Sequence, residues 1–335
     1  MKKILLDPSK KFYKANLHCH SVNSDGRKTP DELKKMYTEK GYSVIAFTDH
    51  EHLIDNSNLS DENFLAITAC EVAVKEFDDK STLSAPDMKC AHFNFYAKEP
   101  HNIDTPCYNS KYDHFLNDNI RNLVVHSGGE YKREYTAEGI NDMISRANEC
   151  GFLVTYNHPR WSLENAADYL RYKNLWAVEI YNNASTVGGI YEYDINAYDD
   201  FLRNGCKIAC TACDDNHNRK DDSFGGYVMI NAADLSYPSI INAMENRNLY
   251  ACIGDAAPQI KELSICKSTA HIKCENALYV SLSTKGRRAE RVDARGGEAE
   301  FKICENDGYI RFDILGKNGS RTNTCAYFLD EILIV

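Results

Sequence analysis

The chain has 335 residues, with 39 Lys+Arg against 49 Asp+Glu, a formal net charge of −10, 11 His and 13 Cys. That length suits one large α/β domain with a smaller one appended, and 43% hydrophobic with 26% charged residues excludes disorder as the default state. The acidic balance without a basic stripe excludes a long nucleic acid held by surface charge, and no apolar run approaches the roughly 18 residues of a membrane span.

Residues 1–6 begin like a signal peptide, but Asp7, Lys10 and Lys11 interrupt the apolar run at once, so a cytoplasmic protein with free thiols is expected. A short strand is predicted at 15–18, followed by a helix over 29–40. Thr29-Pro30-Asp31-Glu32 is a capping box with proline at the first helical position, and Gly41 marks the stop. Residues 43–48 (SVIAFT), 64–70 (FLAITAC) and 91–96 (AHFNFY) are predicted strands. An irregular stretch then runs from Glu99 to about Tyr135. Thr136 caps a helix through Cys150, with Gly151 beyond it.

Strands follow at 152–156, 175–181 and 206–212, with helices near 162–173 and 189–203 between them. A strand at 226–231 and a helix at 236–248 complete this part. Cys206, Cys210 and Cys213 lie in a strand pattern where residues three apart face opposite ways, which predicts core thiols rather than a metal knuckle. Apolar strands joined by helices predict a parallel sheet covered on both faces, in a barrel-like (β/α) arrangement. Beyond Gly254-Asp255, short strands at 260–266, 277–284, 299–304, 309–316 and 324–329 predict a small antiparallel β domain. The expected division is 1–255 and 256–335.

Histidines and carboxylates recur at the ends of these strands. His18-Cys19-His20 follows the first, Asp49-His50 ends SVIAFT, Glu71 ends FLAITAC and His92 opens AHFNFY. His158 ends FLVTYN, and Asp214-Asp215-Asn216-His217 follows the last long strand. In a parallel barrel the C-terminal strand ends share one face, so these residues would converge on one cavity. Imidazoles mixed with carboxylates suit Zn, Mn or Fe, and there are more donors than one tetrahedral ion uses. That points to two or three ions, a bridging hydroxide and attack on a phosphoryl or acyl centre.

Asn16-Leu17-His18-Cys19-His20, Ser24-Asp25-Gly26 and Thr48-Asp49-His50 together resemble the opening of the PHP (polymerase and histidinol phosphatase) domain. Glu71, His92, Asn157-His158-Pro159 and Asp215-Asn216-His217 fit its later motifs in order. The resemblance covers about residues 14–255, and the tail resembles the β domain of the carbamate-hydrolase-like branch. It implies a distorted (β/α)7 barrel, usually a metal-dependent phosphoesterase. It also implies that His18, His20, Glu71 and Asp215 hold one metal. Glu71 would bridge to a second metal held with His92 and His158, and His50 and His217 would hold a third. Asp25 stands where the fuller family pattern has another His, and is either a ligand or a turn residue.

Asp25, Asp49 and Arg160 are the candidates for catalytic roles. Asp49 would orient an imidazole, and Arg160 would either clamp phosphate oxygens or pack on Trp161 at the surface. Glu179 stays outside the ligand set, as a support behind the ligands or a helix-facing acid; Arg27 and Lys28 are weaker phosphate contacts, His126 is a loop residue rather than a substrate contact, and His52, His101, His114 and His271 are structural or exposed. The expected reaction is hydrolysis of a small phosphate ester, a nucleotide or another phosphomonoester. A carboxylic or carbamic ester, or a non-catalytic metal scaffold, remains open as the alternative.

Overall fold

The computed structural model describes residues 2–77 and 88–332. In chain order the strands are β1 (Lys2–Leu6), β2 (Lys11–Asn16), β3 (Val44–Phe47), β4 (Leu65–Lys75), β5 (Cys90–Ala97), β6 (Phe152–Tyr156), β7 (Ala177–Asn182), β8 (Glu192–Tyr193), β9 (Ala209–Cys213), β10 (Gly226–Ala232) and β11 (Leu249–Ile253). The tail adds β12 (Gln259–Cys266), β13 (Thr269–Glu275), β14 (Ala277–Thr284), β15 (Ala289–Asp293), β16 (Glu298–Lys302), β17 (Tyr309–Gly316), β18 (Arg321–Thr324) and β19 (Tyr327–Phe328). Helices are α1 (Pro30–Thr38), α2 (Ala137–Glu149), α3 (Ala166–Tyr169), α4 (Asn183–Val187), α5 (Ile195–Arg203), α6 (Tyr237–Glu245) and α7 (Leu329–Ile332). Among the described residues no helix is long and apolar enough to cross a membrane.

The architecture is a large mixed sheet with a separate antiparallel one. Hydrogen bonding runs β2-β3-β4-β5-β6-β7, with β9 also on β7. The pairs β2–β3, β3–β4, β6–β7 and β7–β9 are parallel. The all-parallel expectation fails at β5, which is antiparallel to both β4 and β6. β5 therefore presents its N-terminal end to the rim where its neighbours finish. β10 returns antiparallel to β2 and lies beside β9.

The local signals explain several elements. Thr29 and Glu32 form the reciprocal capping box, and α1 buries Leu33 and Tyr37. Thr136 caps α2, whose Ile140, Met143, Ile144 and Ala147 face the sheet core. The helices expected near 162–173 and 189–203 are shorter: α3 covers four residues, and β8 interrupts the second region by pairing with β7. Cys210 and Cys213 are buried and free.

The change of character at residue 255 is not a break in hydrogen bonding. β11 pairs with β18, carrying the large sheet into the tail, while β1 pairs with β12 in the four-stranded sheet β1-β12-β13-β16. A second hydrophobic core joins Leu33, Tyr37 and Phe47 to Tyr250, Ile260 and Phe312. The tail thus buttresses the side of the sheet that carries β2 and β3.

Candidate metal centre

The backbone brings the two most widely separated motifs side by side. Asp215 N donates to the His18 carbonyl at 2.9 Å, and His20 N donates to the Asn216 carbonyl at 3.1 Å. Buried Asn16 locks this junction, donating to Asn216 Oδ1 at 3.0 Å and accepting from Asp214 N at 3.1 Å. His158 and Asp215 both adopt positive φ, 25° and 53°. Neither is glycine, so each conformation costs on the order of 1–3 kcal/mol that surrounding contacts must offset. Gly26 closes the nearby turn; a Cβ there would lie 2.5 Å from the His20 carbonyl oxygen.

All nine sequence-derived metal candidates converge. Their potential donor atoms fall into overlapping groups: His18-His20-Glu71, Glu71-His92-His158, His18-His158-Asp215 and His20-Asp25-His50-His217. Glu71 is central. Its Oε1 lies 3.2 Å from His18 Nε2, 2.9 Å from His92 Nδ1 and 3.2 Å from His158 Nε2, while Oε2 lies 3.2 Å from His50 Nδ1. Asp215 Oδ1 is 3.0 Å from His20 Nε2 and 3.2 Å from His18 Nε2. Asp25 Oδ1 is 3.3 Å from His217 Nε2 and 3.7 Å from both His20 Nδ1 and His50 Nε2.

Several of these atoms are buried without a hydrogen bond: His18 Nε2, both nitrogens of His20, His92 Nε2, Asp25 Oδ1 and Asp215 Oδ1. Orphaned polar atoms of this kind are costly unless something binds them. Donors about 2.0–2.2 Å from a shared divalent ion stand roughly 3–4 Å from one another, so the spacing and donor types fit such ions.

Electrostatics couple the groups. Burial works against ionisation of Asp25, yet the imidazoles of His217, His50 and His20 around it hold its carboxyl below the usual range. Glu71 is likewise held low despite its burial, chiefly by His92 and His18. Burial, reinforced by His20, depresses His50 to about 3. Neutral His50 is the form a cation would need.

The structure departs from sequence expectation at individual positions. Glu71 sits inside β4 rather than at its end, because β4 continues beyond the rim as the partner of β5. Among the described residues Asp49 meets serines rather than an imidazole: it accepts from Ser21 N and Oγ at 2.8 and 2.7 Å, and from Ser24 N and Oγ at 3.1 and 2.7 Å. It holds the turn that carries Asp25. Arg160 is exposed and outside the residues lining the 340 Å³ cavity over the cluster. His126 stacks on Tyr108, and His52 is buried beside that same ring.

Sequence reasoning missed the cavity's own cations, Arg219 and Lys220. Their signal was present, since they stand two and three residues after His217. Glu179 supports the ligands from behind, one of the two roles open to it in the sequence. Its carboxylate meets His18 Nδ1 at 3.2 Å and accepts from His158 N at 3.1 Å, which leaves His18 Nε2 facing the cluster. Asn182 ties Glu179 to Asp215, donating at 3.1 and 3.0 Å.

No family model matches the chain, and no curated protein matches it. Among solved structures, a two-domain Bacteroides vulgatus protein containing a predicted PHP-like metal-dependent phosphoesterase aligns at 14% identity, TM-score 0.47, over 97% of each chain. An amidohydrolase of Chromobacterium violaceum, with sulfate and no metal, aligns at 12% identity and TM-score 0.40, covering 62% of this chain and 89% of that one. A lesion-specific endonuclease of Pyrococcus furiosus aligns at 13% identity and TM-score 0.40, covering 70% of this chain and 56% of the other. The site geometry, rather than these distant likenesses, carries the functional argument.

Proposed function

We propose that the chain is a PHP-type metal-dependent phosphoesterase that hydrolyses a small phosphate ester, a nucleotide or another phosphomonoester. The observation that carries this reading is the row of nine converging donors, several of them buried and unpartnered, beneath a cavity whose rim bears Arg219 and Lys220. Two or three Mn, Fe or Zn ions would supply Lewis acidity toward phosphoryl oxygens and would activate water. His18, His20, Glu71 and Asp215 would hold one ion, Glu71, His92 and His158 a second, and Asp25, His50 and His217 a third.

The chain's own residues do the positioning. Glu179 fixes the His18 ring, Asp49 fixes the turn bearing Asp25, and Arg219 and Lys220 attract and orient an anionic group. We further propose that β2, β3, β4, β5, β6, β7 and β9 form a distorted seven-stranded (β/α) barrel, with residues 256–335 as its β domain. We propose a cytoplasmic setting, as the cysteine content of the sequence suggests. The partner is a small molecule, not a long nucleic acid or a membrane. The test is turnover of p-nitrophenyl phosphate against p-nitrophenyl acetate after reconstitution with Mn²⁺, Fe²⁺ or Zn²⁺. Phosphate hydrolysis is expected; activity on the acetate alone, or on neither, overturns the proposal.

A further inference from the structure

The cavity over the cluster has two unlike ends. At one end Arg219 donates to the Asp25 carbonyl at 2.6 Å and to its carboxylate at 3.1 Å, with Lys220 beside it on the rim. At the other end the Trp161 ring centre stands 4.8 Å from that of His92 and 4.9 Å from that of His158. Gly188 and Ile190 line the same cavity. Ile190 is 39% exposed, and its neighbours Val187 and Tyr191 are 42% and 61% exposed. Clustered exposure of large apolar side chains marks a surface that binds something.

This apolar end is held in place. Buried Glu192 accepts from Arg160 N and Trp161 N, both at 2.9 Å, and Thr186 Oγ1 accepts from Glu192 N at 3.1 Å. The loop after β6 and the loop after β7 are thereby tied together, so the wall is built rather than left to chance. A cationic end and an aromatic end across one row of donors would orient a substrate that is charged at one end and flat and apolar at the other.

We propose that Trp161, Gly188 and Ile190 form the leaving-group subsite and that the substrate is an aryl phosphate ester, its phosphoryl end toward Arg219 and Lys220. The inference rests on the phosphoesterase reading. Water would give its hydroxyl to phosphorus while the P–O bond to the ring oxygen breaks, and the remaining proton would go to the released phenol.

The test uses phosphonates, which bind without turnover, on the Mn²⁺-reconstituted full chain. Calorimetry and the fluorescence of Trp161, one of only two tryptophans, report binding. Phenylphosphonate is expected to bind about tenfold more tightly than methylphosphonate, the worth of half-burying one ring. Ile190→Ser, at a partly exposed position, should shrink that ratio without weakening methylphosphonate, and Trp161→Ala should bring it close to one. Equal binding of the two phosphonates by the unsubstituted protein overturns the aryl subsite. If phosphate esters are still hydrolysed in that case, the phosphoesterase reading stands without it. A phenyl preference lost in Trp161→Ala, in a protein that hydrolyses no phosphate ester, supports the subsite and overturns the reaction instead. Binding of neither phosphonate overturns the subsite, and together with no hydrolysis of any phosphate ester it overturns both.

Discussion

Glu71 makes the plainest case for a metal at the residue scale, since its two oxygens meet five imidazoles inside the protein. His18→Ala and Asp215→Ala are each expected to lose bound metal and hydrolysis while keeping the far-UV circular dichroism of the unsubstituted protein; metal analysis of the purified variants decides it. Glu179→Gln keeps the shape but weakens the partner of His18 Nδ1, and a metal affinity about 10–100-fold lower is expected in chelator competition. Glu192 offers a pH test. Burial raises its carboxyl to about 7, above the unfolded value of 4.5. Between those values the folded state keeps a proton that the unfolded chain has lost, so stability falls as pH rises from 4.5 to 7. In Glu192→Gln that fall should shrink, by no more than about 3 kcal/mol, in urea denaturation at pH 5 and pH 7.5.

Individual elements were legible to different degrees. The α1 cap was readable because Thr29, Pro30 and Glu32 act within one turn, and the structure contains every bond the motif implies. Thr29→Ala should cost about 1 kcal/mol by denaturant titration. The helix expected over 189–203 was misjudged because β8 is made by pairing with β7, a partner the local pattern does not contain. β5 was found as a strand, but its direction was not, since alternation of side chains is the same whichever way a strand runs. The turn at Ser24-Asp25-Gly26 belongs to this scale too. Gly26→Ala would force a Cβ against the His20 carbonyl, so it should displace Asp25 and reduce the metal content of the protein.

Across the whole molecule, the tail and the N-terminus act together. β1 covers one edge of β12, and Leu6 is fully buried in the core shared by the tail and α1. Deleting residues 1–6 removes that strand and exposes a sheet edge. A lower melting temperature and self-association by light scattering are expected. Such a chain would show that residues beyond 255 and those before 7 fold as one unit. The same buttress explains how strands carrying His18 and His50 keep their places: Phe47 of β3 and Tyr37 of α1 pack into that shared core.

The sequence alone determined which residues could do chemistry. Imidazoles and carboxylates placed next to apolar strands are costly unless paired, and their order along the chain pointed to one cluster before any fold was known. It also determined the caps and core strands, which depend on neighbours within a few positions. Tertiary structure decided what depends on distant partners. It reversed β5 so that His92 faces the rim, moved Glu71 into a strand interior and gave Asp49 a turn to hold instead of a ring. It also put Arg219 rather than Arg160 at the cavity, because side-chain direction at a loop is set by the loop opposite, which sequence proximity does not contain.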